Sequence, residues 1–145
     1  GRKVLLDQGQ KLRKFTKQIH QFCKANESNA QLAEFVAPLG KLLKEIGDVT
    51  MGIGMAAMQD RDAAGAAATD YLRLIGHLTY GWLWARMAEV AYSKLEAGKD
   101  PFYEAKIATA RFYFAKLFTE VESLKASIKA GAQPLMQLDA DHFAF

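Results

Sequence analysis

A chain of 145 residues, 50% of them hydrophobic, is one domain's worth of polypeptide and is long enough to bury about two thirds of its unfolded surface. The lone cysteine, Cys23, excludes an internal disulfide, and charge interrupts every long apolar run, so no membrane span is expected. The net charge of +3 is uneven: residues 1–25 hold seven basic side chains against Asp7 alone, which leaves that segment at +6 and the remainder at −3.

The first predicted helix, residues 8–25, places Leu12, Phe15, Ile19, Phe22 and Cys23 on one stripe and ends in the polar break ANESN. The run VLL in GRKVLLDQG is too short for a signal peptide. A basic helix can meet nucleic acid or acidic lipid, or it can be a solvated face or a contact with an acidic neighbouring domain. No aromatic residues interleave the lysines, and no recognition-helix or zinc-knuckle spacing is present, so nucleic acid is not expected. Cys23 falls on the apolar stripe and reads as an inert buried thiol, consistent with a cytoplasmic location.

The second helix is capped near Ser28 or Asn29 and runs to Met58, with a seam of Leu32, Val36, Leu39, Leu43, Ile46, Thr50, Ile53 and Ala57. Pro38 inside that seam predicts either a kink or a short turn before a main helix that begins at Pro38. Gly52, Gly54 and the small residues Ala63 to Ala68 predict a close backbone approach where the second and third helices meet. GIG has no preceding strand and no following Lys-Ser/Thr, so it is not a phosphate cradle.

The third helix follows QDRD and reaches Ala97, with Gly98 as its stop. Tyr71, Ile75, Leu78, Trp82 and Ala85 form one stripe; Leu72, Leu83, Met87 and Val90 form a second; Tyr80 and Trp84 point elsewhere again. The fourth runs from Asp100 and Pro101, a capping residue and a first-turn proline, to Ala130. Its seam is Tyr103, Ile107, Ala110, Phe114, Leu117, Val121, Leu124 and Ile128, and Phe102, Ala105, Thr109 and Phe112 lie outside it. Residues 131–145 read as a tail with one helical turn at most.

The fold class is therefore all-α, an up-down four-helix bundle with three long helices of about 40 to 45 Å and a short C-terminal tail. Four helices around one core cannot cover two apolar faces on each of two helices, so Trp84, Phe102, Thr109 and Phe112 form a candidate packing interface for another chain or another part of the same polypeptide. The motifs that would carry chemistry are missing. No Glu-x-x-His pair accompanies His20, His77 or His142, and no Gly-x-Ser-x-Gly surrounds a serine. His77 reads as a core or interface histidine with one hydrogen-bond partner. No catalytic, cofactor-binding or metal residue is expected in this segment.

YLRLIGHLTYGWLWARMA, FYEAKIATARFYFAKL and IKAGAQPLMQLDADHF resemble the C-terminal helical domain of large bacterial acyl-CoA dehydrogenases, the methylmercaptopropionyl-CoA dehydrogenase type. GRKVLLDQGQKLR is similar to the segment that follows the dehydrogenase core. The resemblance implies that residues 1–145 form a single helical domain cut from a longer chain. That parent would oxidise an acyl-CoA to the enoyl-CoA with FAD as hydride acceptor and a Tyr-Glu-Gly glutamate as base. No such motif occurs here, so FAD and the acyl-CoA substrate belong to the parent core. The expected role is non-catalytic packing on the remainder of the dehydrogenase chain or a second subunit in a homo-oligomer. The alternative is an independent helical adaptor that binds a partner helix or an acidic surface.

Overall fold

The computed structural model describes residues 2–59 and 61–130. All the regular structure among them is helical: α1 (Arg2–Ala25), α2 (Ala33–Gln59), α3 (Arg61–Leu95) and α4 (Pro101–Phe112), with a π-helical turn at Tyr113–Leu117 and a return to α-helix over residues 120–130. The expected tail, His142 and Gly1, the first residue of GRKVLLDQGQKLR, lie outside the described residues. None of the described helices is long and apolar enough to cross a membrane.

Helix α1 begins at Arg2, six residues before the expected start, because nothing in RKVLLDQ breaks it. It ends where the Asn26 side-chain amide folds back to donate to the Phe22 carbonyl at 3.0 Å. Asn29 Oδ1 accepts from the Gln31 N–H at 3.0 Å, organising a turn whose last residue, Leu32, is fully buried. The second helix therefore starts at Ala33, later than its expected cap, and it does not begin at Pro38. Pro38 is its sixth residue, near enough to the start that the one hydrogen bond lost to the missing N–H does not end the helix. Phe35 and Leu42 join the expected seam in the core, whereas Thr50 leaves it and bonds its hydroxyl to the Ile46 carbonyl and to Tyr71 Oη, both at 2.7 Å.

Helix α3 is the central element, in contact with α2, with α4 and with the π turn. It turns Ala67, Leu74, Leu78, Ala85, Ala88 and Ala91 inward. Fully burying leucines such as Leu32, Leu39, Leu42, Leu74 and Leu78 contributes about 1.5–3 kcal/mol each. The close approach occurs at Gly81, where an added Cβ would lie 3.2 Å from both Leu39 Cδ1 and Phe118 Cε2. At Gly52 and Gly54 no described atom stands within 4 Å of the same position, while the side chains of Ala63, Ala64 and Ala66, on the other side of the expected approach, lie outside the described residues. Phe15 of α1 meets Trp82 edge-on with ring centres 5.6 Å apart.

The chain leaves α3 through Gly98, whose φ of +148° favours glycine. Asp100 then accepts from the Phe102 N–H at 3.0 Å and Pro101 occupies the first turn, as the sequence predicts. The fourth helix departs from its expected seam after Ala110. Phe118 N–H donates to the Tyr113 carbonyl five residues back, at 2.8 Å, and the wider turn rotates Tyr113 and Phe118 into the core. Leu117, an expected seam residue, is left 51% exposed. Val121, Leu124 and Ile128 remain buried.

Candidate functional site

Two features stand out from the packed core: a polar cluster at the π turn and an apolar face on the outside of α3 and α4. In the cluster, the Tyr113 hydroxyl lies 2.9 Å from His77 Nδ1 and 3.1 Å from the His77 carbonyl, where its proton is shared. His77 Nε2 stands 3.2 Å from Glu120 Oε1, and Arg73 grips both oxygens of the same carboxylate, with Nε at 2.5 Å and Nη2 at 3.1 Å. His77 thus has two side-chain partners, not the expected one. In the neutral ring, Nε2–H donates to Glu120 and Nδ1 accepts from Tyr113.

Burial pushes the Tyr113 phenol well above its usual range, and it stays protonated as a donor. The His77 hydrogen bond, with Arg73 beside it, holds Glu120 below the ordinary carboxylate value. The arrangement fastens the end of the π turn to α3. Further out, Arg111 Nε donates to Glu34 at 2.6 Å and its Nη2 to Tyr92 Oη at 3.3 Å. Lys125 pairs with Glu45 and with Glu122, and Ser127 donates to Asp70 at 2.8 Å. These bonds clamp the fourth helix to α2 and α3. No group of His, Cys, Asp and Glu among the described residues could hold a metal ion.

The second feature follows from helix periodicity. Tyr80, Leu83, Met87 and Val90 step by three and four along α3, and all are exposed. The first turn of α4 brings Phe102 and Tyr103 alongside, making an open groove of about 370 Å³ with Arg86 and Lys106 at its margin. Lys106 Nζ lies 5.2 Å above the Phe102 ring, and Arg86 lies 4.9 Å above Trp82.

Of the four interface residues named from the sequence, Phe102 at 60% and Phe112 at 58% are exposed apolar rings, and Thr109 is exposed beside them. Phe112 and Thr109 do not line the groove. Trp84 is half-buried and packs against the core, while its neighbour Leu83 looks outward. The charged margin was not singled out in the sequence, although Arg86 stands three after Leu83 and four before Val90, and Lys106 four after Phe102, where helix geometry puts them beside the face.

A family model described as acetyl-CoA dehydrogenase C-terminal like matches residues 15–139. The chain belongs to that family. Among relatives of this C-terminal domain family, the broad-specificity linear acyl-CoA dehydrogenase FadE5 of Mycobacterium tuberculosis is 31% identical over 152 residues, covering 98% of this chain and 25% of the relative. The 3-methylmercaptopropionyl-CoA dehydrogenase of Ruegeria pomeroyi is 31% identical over 133 residues, covering 83% of this chain and 21% of the relative. The chain therefore spans a quarter or less of the length of the curated relatives it matches. The sequence resemblance to acyl-CoA dehydrogenase C-terminal domains is borne out.

Proposed function

We propose that this chain is the non-catalytic C-terminal accessory domain of an FAD-dependent acyl-CoA dehydrogenase, an up-down bundle that docks through its outer apolar face on the remainder of the dehydrogenase chain or on a second subunit. The parent would be cytoplasmic and would convert an acyl-CoA to the enoyl-CoA. The observation that carries the docking role is the unpartnered face itself. Leu83, Met87, Val90, Phe102 and Phe112 all stand in solvent on adjacent helices, and patches of that kind mark interaction sites.

The lining of the groove supports a non-catalytic reading. Dehydrogenation at the α carbon needs a positioned base to take the proton, and no carboxylate lines the groove between α3 and α4. The groove is open and presents methionine, leucine, valine, phenylalanine and tyrosine with two cations. The reading assigns FAD to the parent core and no step of the oxidation to a residue of this chain.

Purified alone, the 145-residue chain is expected to fold, to carry no bound flavin and to oxidise no acyl-CoA in a dye-reduction assay. Recovery of stoichiometric FAD absorbance with the chain would overturn the reading.

A further inference from the structure

A second concavity, lined by α1 and α2 and sharing no residue with the groove between α3 and α4, is not used by the dehydrogenase reading. Helices α1 and α2 diverge around a groove of about 870 Å³. Val36, Leu43 and Ile46 supply apolar surface there, and Gly40 and Gly47 leave it deep, since nothing lies within 4 Å of a Cβ added at either. Its lips are cationic. Arg13, Lys17 and Lys24 project from α1 and Lys44 from α2, and among the described residues no carboxylate forms an ion pair with any of the four. Lys41, also on the margin, is pulled toward Glu45 at 3.9 Å and Glu122 at 3.7 Å. The one carboxylate lining the groove is Glu27, at its end.

The geometry points to a docking groove for an amphipathic helix of another protein, one that lays leucine-like side chains on the floor between α1 and α2 and sets glutamates or aspartates against the basic lips. Three observations favour that occupant. Apolar floors with charged margins take up helices through anchors one turn apart, and the glycine-deepened floor gives such anchors room. A bilayer surface reaches the convex side of a basic helix and not a concavity between two helices. Among the described residues no Phe, Tyr or Trp lines the groove to stack on bases, as a single-stranded nucleic acid would need. A second copy that laid its α3–α4 groove on this one would set its Arg86 and Lys106 against the basic lips, cation against cation. This inference does not rest on the dehydrogenase reading and uses a different face.

The test is fluorescence anisotropy with a fluorescein-labelled peptide of about five helical turns, leucine on one face and glutamate flanking it, added to the chain at physiological salt. Saturable binding is expected. The double change Lys17→Glu with Lys44→Glu should weaken it about tenfold or more, because close opposite charges become like charges. Gly40→Leu with Gly47→Leu should abolish it by filling the floor, and helix propensity favours both changes, so the variant stays folded in circular dichroism melts. Lys116→Glu with Lys129→Glu, an equal change of net charge on exposed positions elsewhere, should leave binding intact. Any of four results overturns the proposal: no saturable binding to the unaltered chain, equal weakening by the control pair, equal binding of a polyglutamate peptide without leucine, or groove-dependent binding of phosphatidylglycerol vesicles or an RNA oligonucleotide in place of the peptide. Self-association of the chain that the groove changes abolish, without peptide binding, also overturns it in favour of a second copy.

Discussion

The backbone N–H of Phe118 donates to the Tyr113 carbonyl at 2.8 Å, and this five-residue closure decides which side chains of the fourth helix enter the core. Phe118 is 7% exposed and Leu117 51%. Phe118→Ala should cost about 3–5 kcal/mol through the cavity left between Phe114, Tyr113 and His77, whereas Leu117→Ala should cost less than about 1 kcal/mol. Urea melts of the two variants rank them. The reverse ranking would restore an unbroken α-helix through residue 117.

Glu120 gives the polar cluster a pH signature. Its carboxyl is held below the value of 4.5 that it has in the unfolded chain, first by the His77 hydrogen bond and then by Arg73. A depressed folded pKa contributes stability that is complete above 4.5 and is lost as pH falls through the folded value. Glu120→Gln should therefore flatten part of the acid limb of a stability–pH curve below about pH 4.5. Glu122, lowered by Lys125, contributes to the same limb and remains in the variant. An acid limb identical in both proteins would remove Glu120 from the account.

Two glycines of α3 should respond oppositely to substitution. At Gly81 the added Cβ meets Leu39 and Phe118 at 3.2 Å, so Gly81→Val should destabilise by about 1–3 kcal/mol through overpacking. At Gly76 nothing stands within 4 Å, and Gly76→Ala should stabilise by about 0.5–1 kcal/mol through helix propensity. Thermal melts with opposite shifts of the midpoint check both.

Much of this architecture is legible from local chemistry. Asp100 and Pro101 start a helix wherever they occur together before an apolar period, and Gly98 stops one. The stripe of α1 follows from spacing alone, and so does most of that of α2, apart from Thr50, which leaves it, and Phe35 and Leu42, which join it. The π turn is not legible, because Phe114 and Leu117 fit a three-and-four spacing as well as Tyr113 and Phe118 fit the observed one. The Glu34–Arg111 and Glu45–Lys125 pairs join residues far apart in the chain, and any of several exposed carboxylates would have satisfied the pattern. The excess of apolar residues on α3 and α4, more than one core can cover, was readable, and Phe102 and Phe112 are exposed as that excess implies, but the outward-facing set on α3 was not fully readable. It took the structure to turn Leu83 outward while Trp84 packs inward.

The outer face should make the isolated chain self-associate. Phe112→Glu places a charge on a ring position that is 58% exposed, so it should weaken association in analytical ultracentrifugation while leaving the melting temperature nearly unchanged. A strictly monomeric chain with a Phe112→Glu variant that melts far lower would return Phe112 to the internal core.

Docking of that face in the parent enzyme is tested most directly by hydroxyl-radical footprinting of Met87, Phe102 and Phe112 in the isolated chain and in the full dehydrogenase polypeptide. All three side chains are exposed here and should be modified readily in the isolated chain. The account predicts strong protection of Met87 and Phe102, at the least, in the full polypeptide, with Met58 at 89% exposure as the reference for an uncovered side chain. Equal modification of Met87 and Phe102 in both proteins would contradict it.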